Sequence, residues 1–228
     1  MPATDDQDIE VVRHPTARRV RLSIDPVSGR TQLTVPRRAA VKAALAWAET
    51  KRDWIAEQRA RLTPRRPFVP GMTLTVADRA VTIDWTPGTR RRVEVAGDTL
   101  SLSGPQETIG RRVEAWLKRE ALRVLGDDTG HYAALAGVTV TRVGIGDARG
   151  RWGSCAASGA IRYNWRLILA PGWVRRATAA HEVAHRVHMN HGPDFHALVA
   201  TLYGADPTPA RAWLRQHGVT LHGFGCGS

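Results

Sequence analysis

Cysteine is almost absent from this chain of 228 residues. The two that occur, Cys155 and Cys226, form no CxxC pattern, which excludes a disulfide scaffold and an all-cysteine zinc site. No apolar run approaches the roughly 20 residues that span a bilayer, which excludes a helical membrane protein. The stretch Met1 to Glu10 is acidic and polar and lacks the apolar core of a secretory signal. Together these features place the chain in the cytoplasm as an expectation. Lysine is scarce: Lys42, Lys51 and Lys118 are the only lysines among 33 basic residues. Glutamate stops altogether at Glu182.

What is present describes a globular protein. Hydrophobic residues make up 43% of the chain and include eight Trp, enough for a substantial core. The formal charge is +12 and unevenly spread. Residues 13 to 66 carry fourteen basic and four acidic side chains. Such a cluster is either a solvated basic surface or a footprint for nucleic acid, and no nucleic-acid signature accompanies it.

Along the chain, residues 9 to 35 predict two or three short strands. Val20, Leu22 and Ile24 alternate with Arg21 and Ser23, and Asp25-Pro26-Val27-Ser28-Gly29 is turn chemistry. Residues 39 to 62 predict one long amphipathic helix. The prolines at 64, 67 and 70, with Gly71, then mark a stiff linker and a candidate subdomain boundary. Four strands are expected over 72–76, 80–85, 91–96 and 99–103, with Gly97-Asp98 as a hairpin tip. A helix follows over 108–136, with a break possible at Gly126 and with Val113, Trp116, Leu117 and Leu122 on its apolar face. Strands return over 138–143, 151–155 and 161–169. A helix is expected from Trp173 to about Met189, stopped by Asn190, Gly192 and Pro193. Short helices over 193–202 and 209–217 and a loose Gly-rich tail from Gly223 to Ser228 complete the chain.

Five of the nine histidines fall between His181 and His196. His181 and His185 stand four apart on a predicted helix, about 40° apart around its axis and about 6 Å along it. Two imidazoles so placed converge on one ion. Glu182, about 100° around the axis from His181, reaches a water at that ion without ligating it. This is the logic of the HExxH pattern: two histidines hold zinc and the glutamate takes a proton from water. The plain alternative is a pair of exposed helix histidines.

A catalytic zinc site takes three protein ligands and keeps one position open. With no Glu beyond Glu182, the third ligand comes from His188, His191, Asp194, His196 or Asp206. His188 shares the stripe of His181 and His185, a poor arrangement for closing a tetrahedron. His191 follows the helix exit at Asn190 and can enter from another direction. Its spacing equals that of HExxHxxGxxH sites, although His188 stands where those have Gly. The spacing favours His191 and leaves His196, Asp194 and His188 open.

The segments Arg151-Trp152-Gly153-Ser154-Cys155, Asn164-Trp165-Arg166-Leu167, His181-Glu182-Val183-Ala184-His185 and Asn190-His191-Gly192-Pro193-Asp194-Phe195 resemble the YgjP-like metallopeptidase family, a relative of SprT-type zincins. Lys51-Arg52-Asp53-Trp54-Ile55 and the Pro-rich linker resemble it too, and the likeness runs from about residue 10 to 220. The resemblance implies His181, His185 and His191 as ligands of one zinc per chain and Glu182 as the catalytic residue.

The expectation is therefore an α+β protein. A strand-rich subdomain over 9–104, with one long helix at 39–62, precedes a zincin-like catalytic domain over 105–222. Its function would be peptide-bond hydrolysis by a metal-activated water, with Glu182 as general base and a protein or peptide as substrate. Arg151, Trp152, Gly153 and Ser154 would line the substrate site, either as a strand that pairs with an extended peptide or as a buried hairpin. Tyr163, His196 and Tyr203 are further candidates to polarise a carbonyl, and Cys155 reads as a small buried residue. Two other readings remain: a nucleic-acid-associated protein using its metal for structure, and an inactive zincin serving as a binding module.

Overall fold

In the first sixty residues, alternation of apolar and polar side chains produces strands. A computed structural model describes residues 9–25, 29–60, 62, 65–88 and 93–225. Residues 26–28 of the expected turn, the start of the expected strand at 91–92 and Cys226 lie outside these. The chain divides into two compact units, one up to Pro64 and one from Arg65 onward.

In the first unit β1 (Ile9–His14), β2 (Arg21–Ile24) and β3 (Thr31–Pro36) form a sheet in the order β1-β3-β2. β3 runs parallel to β1 and antiparallel to β2. Its Leu33 and Val35 are fully buried against Ala44 and Ala48 of α1 (Val41–Glu49). The single helix expected over 39–62 is two helices, α1 and α2 (Arg52–Ala60). Thr50 causes the break. Its hydroxyl donates to the Trp47 carbonyl at 2.7 Å, while the N–H groups of Thr50 and Lys51 bond three residues back, to Trp47 and Ala48. That tighter turn interrupts the α-helical ladder.

The second unit opens with β4 (Thr73–Val76), β5 (Arg79–Thr86), β6 (Val93–Ala96) and β7 (Thr99–Ser103), ordered β4-β5-β7-β6. Gly97, at φ 56°, turns the β6–β7 hairpin as expected. Leu74, Val76, Val81, Ile83, Leu100 and Leu102 point into the same core as the helices that follow. The four strands thus belong with the catalytic candidate region. The boundary expected at 104/105 lies instead at 64/65, in the proline-rich segment.

α3 (Ile109–Ala136) runs unbroken through Gly126 and ends at Gly137, whose φ of 63° closes the helix. Leu122 is exposed rather than on the apolar face, which Ala121, Val124 and Leu125 occupy. A second small sheet comprises β8 (Arg142–Gly146), β9 (Gly153–Cys155) and β10 (Ala160–Asn164) in the order β8-β10-β9, so β9 is an edge strand. The strand expected at 138–143 therefore starts later, and the one expected at 161–169 stops at Asn164. There the Asn164 side chain accepts the Arg166 N–H at 2.9 Å and starts a buried 3-10 turn over Trp165–Leu169.

α4 (Gly172–Ala184) is the axle of this unit, packed against α3, β9, α5 (Pro193–Tyr203) and α6 (Thr208–His222). Its alanines at 177, 179, 180 and 184 let these neighbours approach closely. Its first N–H is held from outside: Asp78, in the β4–β5 turn, accepts the Gly172 N–H at 2.6 Å. Asp78 and Ala77 both take left-handed backbone, at φ 68° and 49°, which the tight hairpin requires. The tail is not loose over 223–225. Phe224 bridges to Arg66, and its carbonyl accepts the buried Arg166 guanidinium at 2.9 and 3.0 Å. The architecture is α+β.

Candidate metal centre and adjoining cavity

The helix carrying His181 stops earlier than its periodicity suggests. α4 ends at Ala184 with His185 as its cap, not near Met189. The N–H groups of Arg186 and Val187 bond back to Val183 and Ala184 at 2.8 and 3.0 Å, tightening the last turn. His185 Nδ1 lies 3.1 Å from the His188 carbonyl. These bonds curl the chain back. Gly192 is extended, Pro193 opens α5, and His191 returns to the two helical histidines.

The result is a compact group of three imidazoles. One ligand nitrogen from each of His181, His185 and His191 lies within 4.8 Å of the others, and the group could hold a metal ion. Ring centroids stand 5.0 Å apart for His181 and His185, 5.2 Å for His181 and His191, and 4.7 Å for His185 and His191. Phe195, fully buried, backs all three rings at 4.5 to 4.9 Å. Of the five candidates for a third ligand, only His191 joins the group among the described residues. His196 stands 6.3 Å from it, ring to ring.

The donor set fits zinc. His181 Nε2 and His191 Nε2 are 3.3 Å apart, the separation of two nitrogens each about 2.1 Å from a shared tetrahedral ion. The His188 carbonyl engages Nδ1 of His185 and leaves Nε2 for an ion, the usual outer-shell arrangement. Burial, reinforced by its histidine neighbours, pushes His181 down to about 4, so it is neutral and ligand-ready at ordinary pH. No carboxylate joins the group among the described residues, and exposed His191 leaves one side open to solvent.

Glu182 lies on α4 with 5% of its surface exposed. Burial pushes its carboxyl up to about 7, and the Arg151 guanidinium pulls against that rise. β9 passes directly over it. Gly153 has no side chain, and a Cβ there would fall 2.6 Å from Glu182 Cγ. Trp152 stacks on His222 at 4.8 Å and rests on Gly218, where a Cβ would fall 2.9 Å from the indole.

Arg151, Trp152 and Gly153 line a cavity of about 270 Å³ together with His181, Glu182 and His196. Ser154 does not line it; its hydroxyl faces Arg162 across the sheet. Tyr163 is buried with its hydroxyl on Thr129 at 2.9 Å, and Tyr203 is likewise outside the cavity lining. The Cys155 thiol is half-buried and pushed up by burial, consistent with a packing residue. Sequence reasoning missed the opposite wall, Val199 of α5 with Pro207, Ala210, Arg211 and Leu214 at the start of α6. The last four fall at helical spacing, a stripe that marks a face but not what it looks onto.

A folded α+β unit with a three-histidine group, a buried glutamate beside it and a cavity alongside has the outline of a metal-dependent hydrolase. The family model described as "YgjP-like, metallopeptidase domain" matches residues 18–217, and the chain belongs to that family. Comparison with curated proteins gave no match, and comparison with solved structures gave none. Among the described residues no helix is long and apolar enough to cross a membrane.

Proposed function

We propose that the protein is a zinc metallopeptidase with a zincin-like active site. The observation that carries the reading is the convergence of His181, His185 and His191 beside the buried Glu182, in a chain of the metallopeptidase family. His181, His185 and His191 would hold one zinc per chain. Bound there, zinc supplies a Lewis acid that acidifies water and polarises a carbonyl.

The chain's own groups do the rest. Glu182, near neutral in its proton affinity, takes the proton of the attacking water and hands it to the departing amine. The free edge of β9 offers backbone groups to an extended peptide, so Gly153 and its neighbours align the scissile bond over Glu182. Arg151 holds substrate at the cavity mouth. Glu182→Gln tests this directly: the variant should keep its zinc and lose peptide hydrolysis. Turnover equal to that of wild type would sink the mechanism.

A second reading concerns partners. The first unit exposes Arg18, Arg19, Arg21, Arg37 and Arg38, with Trp47 and Trp54 each 40% exposed. Cations and open indoles suit single-stranded nucleic acid. Binding of this kind would weaken steeply with salt and survive zinc removal, and salt-independent or absent binding would remove it.

A further inference from the structure

The cavity beside Glu182 is built from two kinds of wall. Val199 and Ala210 are buried and Leu214 half-buried, giving an apolar interior closed on one side by Trp152. Thr178, which also lines it, donates its hydroxyl proton to the Val174 carbonyl at 2.9 Å and so has no donor left for the interior. Arg151 and Arg211 line the same cavity yet are exposed, which puts them at its mouth. Neither forms an ion pair among the described residues. Arg211 donates to the Thr208 hydroxyl at 3.4 Å and lies in the field of Asp206, whose carboxylate accepts the Thr208 N–H at 2.8 Å, and its guanidinium keeps further donors for a partner.

Whatever enters this cavity lies against His181 and Glu182, beside the reacting bond. At about 270 Å³ the space falls just under the range of small-ligand pockets and is large enough for one bulky side chain. We infer that the cavity receives an apolar substrate side chain flanking the scissile bond, and that a carboxylate next to it pairs with Arg211 and Arg151. The inference rests on the metallopeptidase reading and adds a substrate class: peptides with an apolar residue beside a negative charge. That charge comes from an Asp or Glu side chain or from the peptide's own terminal carboxylate. A desolvated apolar pocket supplies affinity, and the two guanidiniums at its mouth supply the sign of the neighbouring charge.

The test separates binding from turnover. Full-length Glu182→Gln is titrated at low salt with labelled peptides in which Leu is followed by Asp, Asn or Lys, all amidated. A second pair ends at Leu with a free carboxylate or an amide. The Asp peptide, the free-acid peptide or both should bind roughly three- to tenfold tighter than their neutral partners. Replacing Leu by Gly should cost about tenfold or more. Adding Arg211→Glu should erase the preference for the carboxylate, because the new Glu beside Arg151 leaves no net charge at the mouth, whereas Arg119→Glu, exposed on α3 and outside the cavity lining, should leave it unchanged. Preference for Asp assigns the carboxylate to a side chain, and preference for the free acid assigns it to the terminus. Equal binding of all peptides, or an order that survives Arg211→Glu, overturns the inference. Digestion of a peptide mixture by zinc-loaded wild type keeps the two readings apart. Cleavage without this preference leaves the peptidase standing and removes the pocket assignment. Selective binding with no cleavage does the reverse.

Discussion

Gly153 and Glu182 share one space: a Cβ on Gly153 would sit 2.6 Å from Cγ and 2.7 Å from Cδ of Glu182. No real Cβ lies so close, and Glu182 is buried with little room to yield. Gly153→Ala should therefore displace the carboxyl without touching the three histidines. Peptide hydrolysis should fall about 100-fold while zinc content stays at the wild-type level. A variant of full activity would show that Glu182 has slack, or that its position is unimportant.

Glu182 also sets a pH dependence. Its carboxyl is raised from 4.5 to about 7 by burial, so the metal-free folded state favours the protonated form. That contribution is fully present below about 4.5 and is lost as pH rises through 7. His181, lowered from 6.5 to about 4, acts in the opposite sense, its contribution being lost as pH falls through 4. The difference in unfolding free energy between metal-free wild type and Glu182→Gln isolates the carboxyl. It should fall by about 3 kcal/mol between pH 4.5 and 7, measured by chemical denaturation. A flat difference would contradict the burial of that group.

How much of this was legible beforehand depended on how local each feature is. The histidine pattern at 181 and 185 is a matter of helical spacing, and the alternating strands at 20–24 and 72–103 are visible in their period. The stop at His185 was not legible, because it rests on backbone bonds from Arg186 and Val187 and on a contact between His185 and the His188 carbonyl. The same holds for the split at Thr50, where one hydroxyl bond to Trp47 outweighs a continuous amphipathic pattern. Arg211 and Leu214 lie far in sequence from the HExxH helix, and only the packing of α6 on α4 brings them to the cavity. Tyr163 failed as a site residue for the converse reason: its strand position turns it inward to Thr129.

The helix bearing His181 is anchored by a buried cation. Arg175, whose side chain is 6% exposed, donates from Nε to Asp128 at 2.7 Å and lies 3.9 Å from Asp78. Asp128→Ala would leave that charge poorly compensated, and the loss should be about 3 kcal/mol, read as a lower Tm. Asp128→Ala combined with Arg175→Met should recover part of it. No change in Tm for the single variant would mean that water already screens the pair.

Phe195 backs the three-histidine group as an apolar plate, in contact with all three imidazoles and with no exposed surface. Phe195→Leu keeps the site apolar but frees the rings. Zinc affinity should weaken about tenfold, the lower range for loss of an outer-shell support, as measured by competition with a chelator. Unchanged affinity would show that the His185–His188 bond alone fixes the geometry.

We assign His181, His185 and His191 as the residues that hold a catalytic zinc. The most direct test of this assignment is the zinc content, by elemental analysis, of untagged wild type and His191→Ala after exposure to zinc and removal of excess. About one zinc per chain is expected in wild type, as three imidazoles with one open position would bind, and sharply less in the variant. A wild type that stays metal-free when zinc is offered, or a variant that binds zinc as fully as wild type, would contradict it.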